Sequence, residues 1–85
     1  MKILVAQDPG HAWAIVDADW LASLGIQATE FSKYSYRSRD NMLALEEDCD
    51  LPLLVKRLDE VGVKVELVTF SANQRCNPRS WGRIH

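Results

Sequence analysis

The sequence contains no long apolar run, few cysteines and no marked excess of either charge. No stretch approaches the roughly 18 consecutive apolar residues that a membrane span requires. The apolar start of the chain reaches Asp8 and Pro9 too early to form a signal-peptide core. The two cysteines, Cys49 and Cys76, belong to no C-x-x-C pair, which excludes a zinc ribbon. We therefore expect a cytosolic chain without a membrane segment.

The composition is that of one small globular domain. The 85 residues are 47% apolar and 26% charged, which are average values for globular chains. Ten basic residues against twelve acidic ones give a net charge of −2, so the chain lacks the basic excess behind sequence-independent nucleic-acid binding. We expect a single domain over residues 1–70 and a basic tail, which contains the aromatic Trp81, over residues 71–85.

The first half of the chain predicts a β-hairpin followed by a short helix. Residues 2–7 and 11–16 alternate like strands, and the proline and glycine between them favour a tight turn, so the strands should pair antiparallel. Asp17 is a suitable N-cap for a helix over residues 18–24. Gly25 suits the left-handed position after the last turn of that helix.

The second half predicts another hairpin, a longer helix and a last strand. Residues 31–37 and 42–46 have the composition of two strands around a short turn. A helix begins after Asp50, which is placed to cap it, and ends at Gly62 before a strand over residues 63–70. The predicted apolar stripe of this helix comprises Leu51, Leu54, Val55, Leu58 and Val61.

The element order β-β-α-β-β-α-β predicts an α+β fold. Neither helix can bury its apolar stripe alone, so both should cover one face of a mostly antiparallel sheet of about five strands, as in a two-layer sandwich. The C-terminal tail lacks periodicity and is expected to be extended. Since a core of this size supplies only a few kcal/mol, we expect a homodimer contact or a partner protein to add stability.

Four segments of the chain resemble a family of small phage and prophage proteins. They are Gly10-His11-Ala12-Trp13, Leu24-Gly25-Ile26, Tyr34-Ser35-Tyr36 and Leu45-Glu46-Glu47-Asp48-Cys49-Asp50. The tail segment Asn77-Pro78-Arg79-Ser80-Trp81 is similar to the end of such proteins. The chain departs from the family pattern at Arg39-Asp40, where a glycine-containing turn is usual, and at Ala44, where a larger residue is usual.

This resemblance implies a genomic context rather than an activity. A phage protein works in the cytoplasm of the host bacterium. Small phage proteins without catalytic motifs often bind and inhibit host machinery, as anti-CRISPR and other anti-defence proteins do. The resemblance therefore implies a host protein, such as a component of a defence system, as the partner.

An acidic run, Glu46-Glu47-Asp48-Cys49-Asp50, precedes the second predicted helix. Its carboxylates can cap the helix start, where unpaired N–H groups and partial positive charge favour acids. They can instead face a basic groove of a partner, or bind a divalent cation. Strand alternation would direct Glu46 and Asp48 to one side and Glu47 to the other, which argues most strongly against a metal site. We name Glu46, Glu47 and Asp48 as candidate partner-binding residues, with capping as the alternative.

His11 and Trp13 follow the first turn and raise the question of catalysis. His11 beside an acid of the second hairpin would form a pair suited to general acid–base work. No nucleophile accompanies it, because Ser35 and Cys49 lack the surroundings of an activated nucleophile. A structural histidine bonded to a nearby carboxylate is the simpler interpretation, so we expect no catalytic residue, no metal and no cofactor.

Aromatic and basic residues offer two further candidate surfaces. Tyr34 and Tyr36 share one strand face, which is typical of an interface or, beside basic residues, of a surface that stacks nucleic-acid bases. In the tail, Arg75, Arg79 and Trp81 are of types enriched among interface anchors. Alternatively, Trp81 covers the sheet and the arginines neutralise the acidic run.

Together these features predict a non-enzymatic, phage-encoded protein that binds a host protein and inhibits bacterial defence. The candidate partner-binding residues are Glu46, Glu47, Asp48, Tyr34, Tyr36, Arg75, Arg79 and Trp81. The alternative is a small accessory protein that binds nucleic acid through the tyrosine face and the tail arginines. The adjoining acids count against that alternative, since they would repel phosphate.

Overall fold

The computed structural model describes residues 1–8, 10–32, 34–71 and 81–83. Of the residues singled out above, Pro9, Arg75, Cys76, Asn77, Pro78, Arg79 and Ser80 lie outside these ranges, and so does most of the tail that is expected to be extended. The elements in chain order are β1 (Lys2–Asp8), β2 (His11–Asp17), α1 (Ala18–Ser23), a 3-10 helix (Ala28–Glu30), β3 (Tyr36–Arg37), β4 (Met42–Glu46), α2 (Leu51–Glu60), β5 (Glu66–Ser71) and β6 (Gly82–Arg83).

The strands form one six-stranded sheet in the order β5-β1-β2-β4-β3-β6. Every neighbouring pair is antiparallel except β1 and β5, which run parallel. The central pair, β2 and β4, places Trp13 opposite Glu46 and Ala14 opposite Leu45. Because side chains alternate along a strand and paired residues share a side, Ala14 and Leu45 belong to one face of the sheet, and Trp13 and Glu46 to the other.

Both α-helices cover the face that carries Ala14 and Leu45. Buried side chains from three strands pack there with residues of α1 and α2 into one core. Its members are Ile3, Ala14, Val16, Ala18, Leu21, Ile26, Phe31, Leu43, Leu45, Leu54 and Leu58. The predicted α+β sandwich, with a mostly antiparallel sheet and two helices on one face, is confirmed. In the part of the chain that the structure describes, no helix is long and apolar enough to cross a membrane.

The first hairpin and α1 form as their residues predict. β1 and β2 pair antiparallel, with Asp8 opposite His11 at the turn. The Asp17 carboxylate accepts the N–H of Asp19 at 2.8 Å and that of Trp20 at 3.4 Å, so it caps α1. Gly25 has φ +82°, the left-handed conformation that a residue without a Cβ adopts readily.

The second hairpin is shorter than its sequence predicts, because the strand expected over residues 31–37 is reduced to β3. The 3-10 helix comes first, and Phe31 enters the core. The backbone N–H of Ser32 then donates to the Asp50 carboxylate at 2.9 and 3.0 Å instead of joining a ladder. A side chain far along the chain therefore takes the hydrogen bonds that a longer strand would use.

The last predicted strand begins three residues late. The N–H of Val63 donates to the carbonyl of Leu58 at 2.8 Å, so this part of the backbone completes the end of α2. β5 starts only at Glu66, whose N–H donates to the carbonyl of Met1. At the opposite edge of the sheet, Gly82 and Arg83 of the tail pair with β3 as β6.

Two expectations about α2 are wrong. Its apolar stripe is narrower than predicted: Leu54 and Leu58 are buried, whereas Val55 and Val61 are exposed. Asp50 occupies the N-cap position, but its side chain makes no capping hydrogen bond. Its backbone is helical (φ −108°, ψ −27°) rather than extended as in a capping residue.

Candidate functional site

A cleft of about 280 Å³ opens on the sheet face that the helices do not cover. We call it the aromatic cleft. Its lining residues are His11, Trp13, Tyr34, Tyr36, Glu46, Asp48 and Cys49. They come from β2, the segment before β3, β3 itself, the end of β4 and the turn after it, so the sheet register brings most of them together.

The rings of the aromatic cleft contact one another. Trp13 is 2% exposed and lies in the middle of the group. His11, two residues earlier on the same strand, stacks on it with ring centroids 5.9 Å apart and planes at 26°. Tyr36 meets Trp13 edge to face at 6.3 Å and 67°. Tyr34 also lines the cleft and is 53% exposed. The indole is thus held in place by neighbouring rings.

Glu46 supplies a buried carboxylate to the same cleft. It is 8% exposed, although it lies at the end of a strand beside an open face. Its Oε2 accepts the N–H of Asp48 at 3.0 Å and the N–H of Cys49 at 2.9 Å, which holds the turn over residues 47–50. The expected capping role of the acidic run is therefore taken by Glu46, which caps this turn rather than α2.

A second carboxylate, Asp50, supports the cleft from behind. It is 2% exposed and accepts hydrogen bonds from the hydroxyl groups of Ser32 and Ser35. The buried Ser35 Oγ in turn accepts the N–H of Glu46 at 3.0 Å. This chain of hydrogen bonds ties the segment that carries Tyr34 to the end of β4. Ser35 and Asp50 thus hold these two segments together, and neither residue lines the cleft.

The thiol of Cys49 is exposed at the edge of the cleft. Desolvation raises the pKa of the Cys49 thiol, and the neighbouring Glu46 carboxylate raises it further. A raised thiol pKa keeps the sulfur protonated, whereas a nucleophile or metal ligand must be a thiolate. The environment of Cys49 is thus opposite to that of a reactive cysteine.

The structure brings together half of the residues predicted from sequence to bind a partner. Tyr34, Tyr36, Glu46 and Asp48 line one cleft, and the predicted separation of Glu47 from Glu46 and Asp48 is observed. Glu47 instead lines a groove beside α2 with Leu51 and Val55 among others.

Trp81 lies away from the cleft. It is half-buried and lines a separate groove with Arg37, Ser38, Arg39 and Gly82, at the β3–β6 edge.

The cleft also contains residues that sequence reasoning had placed elsewhere. His11 and Trp13 were considered for catalysis, and Cys49 was considered as a nucleophile and set aside. The sequence signal for His11 and Trp13 was the alternation along β2, which puts both on one face of the sheet. The pairing of Trp13 with Glu46, which joins them to the acids of the cleft, is visible only in the structure. No hydrogen bond joins His11 to Glu46 or Asp48 within the described residues.

The described residues include no group of three or more histidines, cysteines or acids placed to hold a metal ion. The groups that line the cleft are aromatic rings, the imidazole of His11, two carboxylates and the thiol of Cys49. Comparison of the chain with protein-family models, curated proteins and solved structures finds no match.

Proposed function

We propose that the chain is a binding protein that docks a partner protein through the aromatic cleft. One observation carries the proposal: aromatic rings and a buried carboxylate converge on a sheet face that no described helix covers. Tyrosine and tryptophan are enriched at protein interfaces because one side chain offers both apolar area and a hydrogen-bonding group. A concave, ring-lined patch of this kind is the ordinary form of an interface anchor site.

The residues of the cleft support binding better than catalysis. The pKa of the Cys49 thiol is raised, and the Ser35 hydroxyl is buried in its bond to Asp50. The thiol stays protonated and the hydroxyl is fully buried, so neither is placed to attack a substrate in the cleft. We therefore propose a non-enzymatic role.

The partner we propose is a bacterial host protein, met in the host cytoplasm and belonging to a defence system. This part of the proposal comes from the resemblance of the sequence segments to small phage proteins. The position of the cleft adds to it, since three of those segments, around His11, Tyr34 and Glu46, meet in the cleft.

The test is affinity capture from bacterial lysate treated with nuclease, followed by titration of the purified partner. Tyr34→Ala removes a ring that is 53% exposed, so it should reduce affinity at least about tenfold without unfolding the chain. The control is Leu67→Ala, which removes an apolar side chain that is 46% exposed on β5.

The proposal predicts loss of capture for Tyr34→Ala and unchanged capture for Leu67→Ala. Equal capture by both variants would show that the partner binds elsewhere. Capture that disappears on nuclease treatment would replace the proposal with the nucleic-acid alternative.

A further inference from the structure

We infer that the aromatic cleft takes the guanidinium group of an arginine side chain. The inference rests on the proposed function, since it names the group by which a partner protein would be recognised. It is carried by the charge of the cleft, by its rings and by its size.

The described lining of the cleft is negatively charged. Glu46 and Asp48 both belong to it, and no lysine or arginine is among the lining residues that the structure describes. Within the described residues, the ion pairs are those of Arg57 with Glu30 and Glu60, so neither cleft acid has a cationic partner there. A cationic ligand would therefore be attracted, and an anionic one such as phosphate repelled.

Glu46 makes this attraction specific to a hydrogen-bond donor. The residue is 8% exposed, and its Oε2 accepts the two backbone N–H groups of the turn, which fixes the carboxylate beside the cleft. A charged donor that reaches such a carboxylate forms a short, strong hydrogen bond.

The rings provide the second half of the recognition. The exposed rings of His11 and Tyr34 line the cleft together with Tyr36 and the buried Trp13, and the face of a tyrosine ring attracts cations. A planar guanidinium can stack on such rings and still donate in its own plane to a carboxylate. A lysine ammonium is a compact, strongly hydrated charge and gains less from the rings.

The cleft has room for a single side chain. Its volume of about 280 Å³ is near the lower end of the roughly 300 to 1,000 Å³ of small-molecule pockets. In line with the proposed docking of a protein, we infer one arginine of a partner protein as the occupant.

The experiment titrates the full chain with capped tripeptides that carry arginine, lysine, citrulline or glutamate at the centre, followed by NMR of backbone amides and indole N–H groups. Citrulline has the shape of arginine without its charge. We expect the arginine peptide to shift the signals of Tyr34, Glu46 and Trp13 and to bind at least about tenfold more tightly than the citrulline peptide.

A matched pair of variants tests the role of the buried carboxylate. Glu46→Gln removes the charge but keeps an amide oxygen that can accept the two bonds of the turn. Glu47→Gln makes the same change in net charge one residue away, at a side chain that lines the groove beside α2. Arginine binding should fall at least about tenfold in Glu46→Gln and stay unchanged in Glu47→Gln.

The outcomes separate this inference from the proposed function. Equal binding of arginine and citrulline, or equal loss in both glutamate variants, would overturn the guanidinium assignment. The assignment would also be overturned if Tyr34→Ala abolishes capture of a partner but the arginine peptide does not compete with that partner. In that case the proposed function would stand. Preferential binding of the lysine peptide would assign the cleft to an ammonium group instead. Binding of an oligonucleotide in competition with the peptide would contradict both.

Discussion

The residue on which the architecture of the site depends most is Asp50. Its carboxylate accepts the N–H and O–H of Ser32 and the O–H of Ser35, while its backbone begins α2. A single side chain therefore joins the segment before β3 to the first turn of a helix. Two serines, 15 and 18 positions earlier in the chain, donate hydrogen bonds to this buried carboxylate. A carboxylate needs such donors when it is buried.

Replacing this carboxylate should cost much of the stability of so small a domain. Asp50→Ala leaves the half-buried Ser32 and the buried Ser35 donors without their acceptor, and hydrogen bonds to charged groups contribute about 1.5 to 3 kcal/mol each. We expect the free energy of unfolding, measured in urea, to fall by about 3 kcal/mol.

The matched control is Asp59→Ala, which removes the same charge from an exposed position of α2. It should change the free energy of unfolding by no more than about 0.5 kcal/mol. If the two variants are equally stable, the Asp50 hydrogen bonds make no net contribution and the segment before β3 is held by Phe31 in the core.

Residue types and strand alternation predicted part of the site, and long-range pairing supplied the rest. Tyr34 and Tyr36 were identified as candidates because they share a predicted strand face, and Glu46 and Asp48 because they belong to an acidic run before a predicted helix. Their convergence with Trp13 depends on which residue of β4 lies opposite which residue of β2. That register is set by the buried apolar face, and no short segment of the sequence contains it.

At the scale of elements, local signals were sufficient wherever the chain folds onto its neighbours. The β1–β2 hairpin needs only a turn and two alternating runs, and α1 needs only Asp17 and Gly25. The parallel pairing of β1 with β5 joins residues about sixty positions apart. Parallel strands need a long crossover connection. α2, which immediately precedes β5 in sequence, supplies it.

The 3-10 helix shows a related limit of local patterns. Glu30 accepts the N–H of Gln27 at 2.8 Å and the Nε–H of Arg57 at 2.9 Å, so it closes its own turn and joins that turn to α2. The bond from Gln27 and the bond from Arg57 lower the pKa of the Glu30 carboxyl. Half of this arrangement is local, but Arg57 lies 27 positions away, so the sequence pattern alone does not reveal it.

β5 is the element that we expect to open first. Its residues are exposed except for the half-buried Phe70, and Leu67 and Val68 are 46% and 36% exposed. β2, in contrast, is central and contributes to the core. Since local opening costs least where few apolar contacts are lost, the amides of β5 should exchange with solvent faster than those of β2.

Hydrogen exchange followed by NMR measures this difference residue by residue. The amides of β1 provide an internal reference, because β1 pairs with both strands. We expect at least about tenfold faster exchange in β5 than in β2, which corresponds to about 1.4 kcal/mol in opening free energy. Equal protection in the two strands would show that β5 unfolds only with the whole domain.

At the scale of the whole molecule, charge is divided between two neighbouring surfaces. Glu46 and Asp48 line the aromatic cleft, whereas Arg37 and Arg39 line the groove at the β3–β6 edge with Trp81. Tyr36 and Arg37 are consecutive on β3, so their side chains leave opposite faces of the sheet. The net charge of −2 therefore conceals an acidic aromatic site and a basic edge.

This division lets two charge reversals decide which surface binds. Asp48→Lys and Arg39→Glu each change the net charge by two, in opposite directions, at exposed side chains. If the cleft receives a cationic group, Asp48→Lys should weaken the purified complex at least about tenfold. Arg39→Glu should leave the affinity unchanged.

The same pair of variants distinguishes local attraction from the field of the whole molecule. If net charge alone determined the affinity for a basic partner, Arg39→Glu would raise that affinity by the same factor by which Asp48→Lys lowers it. Both changes would then vanish at 1 M salt, where the screening length falls to about 3 Å. A contact inside the cleft is screened less, so the difference for Asp48→Lys should persist at about 1 M salt. Loss of binding in Arg39→Glu alone would instead place the interface at the basic edge, where a nucleic acid would be the better partner.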